Sequence, residues 1–380
     1  MPSAQIIPSQ ENQFEERSEI SVLVTGANGL LGNNLCRELL AAGHEVRAFV
    51  RQNSNLDGLK DLPVQLHYGD VRDSQSLREA AVGCATLYHT AAVFSYWGYS
   101  RDEMISTAQE GATNTVTAAK EAGVQRIVLT SSSSVLGPNW EPKPMTESDA
   151  SDLEGAPDYF YSKRLQEETA FECADREGVE LVSICPSVFI GPYDFRPSAS
   201  LPTVTGYLFD PMKLTYPGGV NIIHVQDVAR AHLLLGEKGV PGERYLVCGD
   251  NMEWPEVHQL IAELGGVSEP KLRMGKKAAF FGEIAMEMGS KLTGKPPLGT
   301  RDMAKMVGSY FWYNDQKAQE LGHDGRDSTR RAIVDTIAWL VESTHLTPRQ
   351  RQKLCPSNEV LAARKRFLPS AVQPNQNGPQ

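Results

Sequence analysis

The sequence has no run of about eighteen apolar residues, so no membrane-spanning helix is expected. It has no C-x-x-C pair and no His/Cys cluster at zinc spacing, so no metal site is expected. Its six cysteines, Cys36, Cys84, Cys173, Cys185, Cys248 and Cys355, read as reduced and mostly buried thiols. Positive charge is scarce: the formal net charge is -10 over 380 residues. That balance argues against nucleic acid as a partner, because phosphate binding needs a basic face. Residues 1–18 are polar and carry Glu15 and Glu16 where a secretory signal would have a basic stretch and then an apolar one. They read as a disordered tail, and a cytoplasmic protein is expected.

What is present is an alternation of short apolar runs with helical periods. Strands are expected over 20–25, 46–50, 65–68, 86–89, 126–130 and 181–185. Helices are expected over 30–42, 108–122 and 160–176, with another beginning near His224. Repeated strand–helix alternation implies an α/β fold, a doubly wound parallel sheet covered on both faces. The core is expected over 19–190, with returns to the sheet near 220–250. Residues 191–345 read as a smaller substrate-binding lobe and 346–380 as a loosely held C-terminal extension. Within the lobe, 276–292 has an amphipathic helical period, with Phe281, Ile284, Ala285, Met288 and Leu292 on one stripe.

Gly26, Gly29 and Gly32 follow the first strand and open the first helix, with Asn28, Leu30 and Leu31 between them. Glycine permits a tight turn and lets a pyrophosphate approach backbone amides at a helix N-terminus. The spacing is G-x-x-G-x-x-G, and with its flanking strand and helix it points to a dinucleotide. A site built for NAD places Asp or Glu at the tip of the second strand; this chain has Arg51 there, which suits the 2′-phosphate of NADPH. After the third strand, Asp70 is either an acceptor for the adenine amino group, with Val71 against the ring, or a turn or capping residue.

Tyr159 and Lys163 lie four residues apart, one helical turn. An ammonium beside a phenol lowers the phenol's pKa, and a Tyr that exchanges a proton near neutral pH is a general acid for carbonyl reduction. The resulting alkoxide charge is met by hydrogen-bond donors. Tyr161 has Leu165 four residues on and lacks that partner.

Taken together, these segments resemble the extended short-chain dehydrogenase/reductases, the NAD-dependent epimerase/dehydratase group. The marks are Thr25 to Gly32, Tyr88 to Ala92, Thr130 to Val135, Tyr159 to Lys163, Pro186 to Pro192 and His224 to Ala229, in the family's order over roughly residues 20 to 340. Val46 to Arg51 is most similar to the dihydroflavonol reductase-like branch, with the 3β-hydroxysteroid dehydrogenases near it. The resemblance implies a Rossmann-type fold and a Ser132–Tyr159–Lys163 site. Ser132 binds the substrate oxygen, Tyr159 donates the proton, and Lys163 binds the ribose and tunes Tyr159. It also places Thr90, Ala91, Ala92, Pro186 and Val188 against the cofactor, the last two by the nicotinamide. Ser131 and Ser133 neighbour Ser132, and Asn114 sits at a recurrent Asn of the family. Relatives pair through helices matching 108–122 and 160–176, which implies a homodimer.

Dehydratases of this family carry an Asp-Glu pair after the catalytic Ser or Thr, and many sugar epimerases carry a Tyr where this chain has Leu136; both are missing here. Their absence favours a reductase or dehydrogenase over a nucleotide-sugar epimerase or dehydratase. His89, His224 and Asp227 are expected to have structural roles. Phe195, Phe209, Met212, Tyr216, Phe280, Phe281, Ile284 and Met288 outnumber the single Arg196, so the expected substrate is a hydrophobic ketone, flavonoid-like, sterol-like or β-keto. Two further readings stay open. One is a non-catalytic dinucleotide sensor. The other is contact with a membrane surface through 276–292 and the basic group Arg364, Lys365 and Arg366.

Overall fold

Val22 and Val24 join one apolar cluster while Leu23, between them, joins another. This is the period of a strand buried on both faces. It belongs to a seven-stranded parallel sheet in a computed structural model that describes residues 20–92, 100–282, 284 and 304–367. In chain order the elements are β1 (Ser21–Thr25), α1 (Leu30–Ala41), β2 (Glu45–Val50), β3 (Gln65–Tyr68), α2 (Ser74–Ala81) and β4 (Thr86–His89). Then come α3 (Arg101–Ala122), β5 (Arg126–Thr130), α4 (Asp158–Glu177), β6 (Glu180–Pro186), β7 (Val188–Ile190), α5 (Pro202–Phe209), β8 (Leu214–Thr215) and β9 (Gly219–His224). They continue with α6 (Val225–Lys238), β10 (Arg244–Val247), β11 (Asp250–Glu253), α7 (Trp254–Gly265), β12 (Leu272–Arg273) and β13 (Tyr310–Phe311). After β13 come a single helical turn at Gln316–Gln319, α8 (Ser328–Glu342), another turn at Pro348–Arg351 and α9 (Asn358–Arg364).

The strand order is β10-β6-β5-β4-β1-β2-β3. Val22 pairs with Val46 on one side and Thr86 on the other, so the order reverses between β1 and β4. In a doubly wound sheet, ligands bind outside the carboxyl ends of the strands at that reversal. Helices α1 and α6 cover one face, and α2, α3 and α4 cover the other. A second core lies between α5, α7, α8 and α9, over a small sheet in which β9 pairs with β7, β11 and β13. The expected return to the main sheet is β10, paired parallel with β6 from Arg244↔Ser183 to Val247↔Pro186.

Several boundaries and elements differ from expectation. The third helix starts seven residues before 108, at Arg101, where Ser100 and Glu103 form a reciprocal capping box. Helix α4 begins at Asp158, so Tyr159 lies in its first turn. The short helix α2 has no long apolar period; the Asp73 carboxylate starts it by accepting from the Gln75 amide. Residues 346–367 correct the loosely held extension: Leu346, Leu354, Val360 and Ala363 are buried in the second core, and Phe367 lies edge-on to Tyr193 at 5.7 Å. The rest of that extension, 368–380, and the tail at 1–18 lie outside the described residues. The expected helix at 276–292 is described over 276–282, where it is helical, and most of its stripe lies outside. Among the described residues no helix is long and apolar enough to cross a membrane. Five cysteines are buried and Cys355 is exposed.

His89, His232 and His258 are buried, and burial pushes their pKa values from 6.5 down to about 3, 4 and 4. Below pH 6.5 the unfolded chain binds protons that these folded imidazoles do not, so stability falls as the pH drops. Thermal melts should show Tm declining from about pH 6.5 towards 4. Replacing His232 by Gln should flatten that decline; an identical slope in the variant would assign it to other groups.

Candidate active site

The carboxyl ends of the parallel strands bring the expected site residues together. Gly26 ends β1 with φ 66°, and a Cβ on it would lie 2.9 Å from Ala91 Cα. Gly32, in the first turn of α1, approaches more closely still: a Cβ there would lie 2.2 Å from the Gly26 carbonyl oxygen. Thr90, just past β4, donates its hydroxyl to the Thr25 carbonyl at 2.6 Å, and the Ala91 amide donates to Thr25 Oγ1 at 3.3 Å. Gly29 caps α1 without a side chain, and no acidic residue occupies the first turn. A helix start with uncapped amides and no carboxylate is an anion site. These residues therefore fit a dinucleotide pyrophosphate: Gly26, Asn28 and Gly29 make the turn, and Leu30, Leu31 and Gly32 open the helix. Asn33 and Asn34 fasten it to the far loop, donating to Tyr193 O at 2.8 Å and Pro192 O at 3.1 Å.

Arg51 is exposed at the tip of β2, and its charge acts on Asp70. Asp70 makes the expected turn. Its carboxylate takes the Arg72 guanidinium at 3.0 and 2.9 Å and the Arg72 amide at 3.0 Å, and Arg72 holds its pKa down. Asn114 donates to Val71 O at 3.3 Å, a structural bond that positions the same loop. Pro186 ends β6 of the main sheet and Val188 begins β7 of the small sheet, one residue apart in the chain.

Ser132, Tyr159 and Lys163 come together at the ends of β5 and α4. The three adjacent serines separate cleanly. Ser132 is half-buried and hydrogen-bonds the Tyr159 phenol. Ser133 is buried and bonds the phenol of Tyr313 instead, and Ser131 Oγ is buried with no hydrogen bond among the described residues. Ser132 is held further by Ser134, whose hydroxyl and amide donate to its Oγ at 2.8 and 3.2 Å. Arg164, which the sequence did not single out, ties α4 to this serine turn by donating to Val135 O at 2.6 and 2.9 Å and to Ser151 O at 3.0 Å.

The electrostatics differ from the sequence expectation. The Tyr159 pKa is raised, not lowered: burial pushes it up and the Ser132 hydrogen bond offsets this only in part. The phenol packs among Leu153, Ala156 and Phe160, an apolar wall that disfavours a phenolate. Lys163 aims its ammonium inward, donating to Thr130 O at 3.0 Å and Gln166 Oε1 at 2.9 Å. Burial lowers its pKa to about 8. Tyr159 thus holds its proton at neutral pH, the state a proton donor needs.

The other titratable candidates are structural, as expected. His89 lies between Thr25 Oγ1 at 3.1 Å and Thr115 Oγ1 at 3.2 Å. His224 caps α6 and meets Asp335 at 3.2 Å, and Asp227 accepts from Ser328, Arg230 and Arg331. Tyr161 lies under the Arg101 guanidinium at 3.9 Å.

The expected apolar substrate surface is only partly assembled. Phe195 belongs to an aromatic cluster with Tyr193 and Trp339, and Tyr216 packs on Trp254 at 5.0 Å. Phe209 packs against the second core, while Met212 and Phe281 are exposed. Phe311 on β13, which sequence reasoning missed, lies edge-on to Phe160 at 5.8 Å, beside Tyr159. The segment carrying it is pinned across the site: Tyr310 N donates to Asn139 O at 2.7 Å and Met145 N to Trp312 O at 2.9 Å.

Comparison with known proteins agrees with this geometry. Residues 22–248 match the model of the NAD dependent epimerase/dehydratase family. The chain is 33% identical over 334 residues to sterol demethylase protein B of Methylococcus capsulatus, covering 85% of this chain and 99% of that one. It is 32% identical to a putative dihydroflavonol 4-reductase of Synechocystis, covering 83% and 93%. The crystal structure of gox2253 shares 28% identity with a TM-score of 0.75 over 86% of this chain and 99% of that chain. The chain belongs to the NAD dependent epimerase/dehydratase family of NAD(P)-dependent enzymes that act on carbonyl and hydroxyl groups.

Proposed function

We propose that the protein is an NADPH-dependent reductase that converts a hydrophobic ketone to its alcohol. The observation that carries this reading is the Ser132–Tyr159 hydrogen bond, set in an apolar wall, with the buried Lys163 one turn further along the same helix. When bound, the reduced nicotinamide supplies the hydride. Ser132 and Tyr159 orient the ketone oxygen and donate hydrogen bonds to the charge that develops on it. Tyr159, whose burial keeps the phenol protonated, then passes its proton to that oxygen. Phe160 and Phe311 give the ketone's body an apolar surface and keep water from the oxygen. The relatives named for a sterol and for a dihydroflavonol support a ring-containing ketone.

NADPH is favoured by the exposed Arg51, which occupies the β2 tip position where an NAD site carries its Asp or Glu. A panel of apolar ketones and sugar nucleotides, followed by NADPH consumption, tests the proposal. Turnover is expected with the ketones; turnover with sugar nucleotides alone would sink the substrate class. In the same assay Arg51→Ala should lower kcat/KM for NADPH by about tenfold, a loss of ~1.4 kcal/mol, and leave NADH use unchanged. Equal effects on both dinucleotides would remove Arg51 from cofactor choice.

A further inference from the structure

The first turn of α1 is clamped from outside. Asn33 Nδ2 donates to Gly29 O at 3.0 Å, within its own helix, and to Tyr193 O at 2.8 Å. Asn34 Nδ2 does the same, to Leu30 O at 2.8 Å and to Pro192 O at 3.1 Å. One turn on, the Arg37 guanidinium lies over the Tyr193 ring at 4.1 Å and donates to Gly58 O at 3.2 Å. The helix start whose amides suit a pyrophosphate is thus fastened to the loop at 192–195.

That loop is held in shape by other parts of the chain. Tyr193 has φ 65°, the left-handed region, which a bulky residue keeps only where its surroundings enforce it. The surroundings come from the C-terminal end of the fold. Trp339 of α8 lies 5.4 Å from the Tyr193 ring and 4.8 Å from that of Phe195. Phe367, just past the end of α9, stands edge-on to Tyr193 at 5.7 Å and to Trp339 at 6.0 Å. His345, between the two helices, donates from Nε2 to Asp194 O at 2.6 Å. The end of the chain is itself pinned to α8: Val360 and Ala363 are buried in the second core, and Arg366 pairs with Asp335.

We propose that the C-terminal segment is a strap on the dinucleotide site, with Phe367 as a positioning residue. Docked on Tyr193, it holds the loop at 192–195 against α1, so that docking of the strap and binding of the dinucleotide favour each other. This rests on the reading of the first turn of α1 as the pyrophosphate cradle. Such coupling is reciprocal: the factor that docking adds to affinity is the factor that the bound dinucleotide adds to docking. A segment that only stabilised the fold would lack that reciprocity.

Two measurements on the full-length protein test it. By calorimetry, Phe367→Ala should bind NADPH and NADH about fivefold more weakly than the wild type, the low end of ordinary coupling between sites. Phe367→Leu, which refills much of the space, should recover most of the loss. Val257→Ala truncates the same second core on α7, outside the aromatic cluster; it should lower Tm and leave both affinities where they are. By hydrogen exchange in the wild type, the amides of 358–367 should slow about fivefold with saturating NADPH, beyond any change on α7. The exchange measurement needs no substitution, so it decides the matter even if Phe367→Ala does not fold. Wild-type affinity in Phe367→Ala, an equal loss in Val257→Ala, or unchanged exchange over 358–367 overturns the strap. Gly32→Ala, run alongside, separates two failures. A loss of affinity there with none in Phe367→Ala overturns the strap alone, whereas no loss in either overturns the cradle reading and the strap with it.

Discussion

Tyr159→Phe is expected to lower kcat by about 10²–10⁴-fold, the usual contribution of a positioned proton donor. The ring keeps its place among Leu153, Ala156 and Phe160, so the substitution removes the hydroxyl and little else. The hydroxyl bonds Ser132, and loss of that bond should cost about 1 kcal/mol of stability. Dinucleotide affinity should be unchanged, since the glycine turn and the start of α1 are untouched. Steady-state turnover of a ketone that the wild type reduces, measured with calorimetric NADPH binding, separates the two quantities. Near-wild-type kcat would remove Tyr159 from the chemistry; a parallel loss of NADPH binding would mean that the variant disturbs the fold of the site.

Gly32→Ala should have the second large effect, on binding rather than on chemistry. The added methyl would lie 2.2 Å from the Gly26 carbonyl oxygen and 2.8 Å from Ala27 Cα. Both are backbone atoms of the turn, so relief requires the helix to move away from the strand. Overpacking of this kind costs about 1–3 kcal/mol or more. The displaced helix start also takes its amides out of position for an anion. Dinucleotide affinity should fall by more than about tenfold, or ~1.4 kcal/mol, and Tm should drop. Gly29→Ala is the control: its Cβ would stand 3.3 Å from the same oxygen, and Gly29 has φ -78°, which alanine adopts freely. It should bind far better than Gly32→Ala. If both variants bind as the wild type does, the turn is not the pyrophosphate cradle.

What could be read from the residue order follows from how far each property reaches along the chain. The glycine turn, the parallel strand–helix alternation and the Tyr159–Lys163 spacing each arise within a few residues, from backbone freedom and helical period. The short helix α2 and the early start of α3 were not legible, because their signals are caps, Asp73 and Ser100, rather than apolar periods. The C-terminal segment looked polar and loose, yet Val360 and Phe367 find apolar partners on α8 and in the loop at Tyr193.

The site divides along the same line. The sequence by itself determined that a dinucleotide turn, a serine run and a Tyr–Lys pair stand on successive units of an α/β sheet. Only the tertiary structure decided which of three serines meets Tyr159, that the phenol keeps its proton, and that the lysine amine is held by Thr130 O and Gln166 Oε1. The reason is physical. Spacing fixes which residues share a helix face, whereas burial and charge depend on groups as far apart in the chain as Glu167 and Arg244, which the folded sheet brings within 2.6 Å.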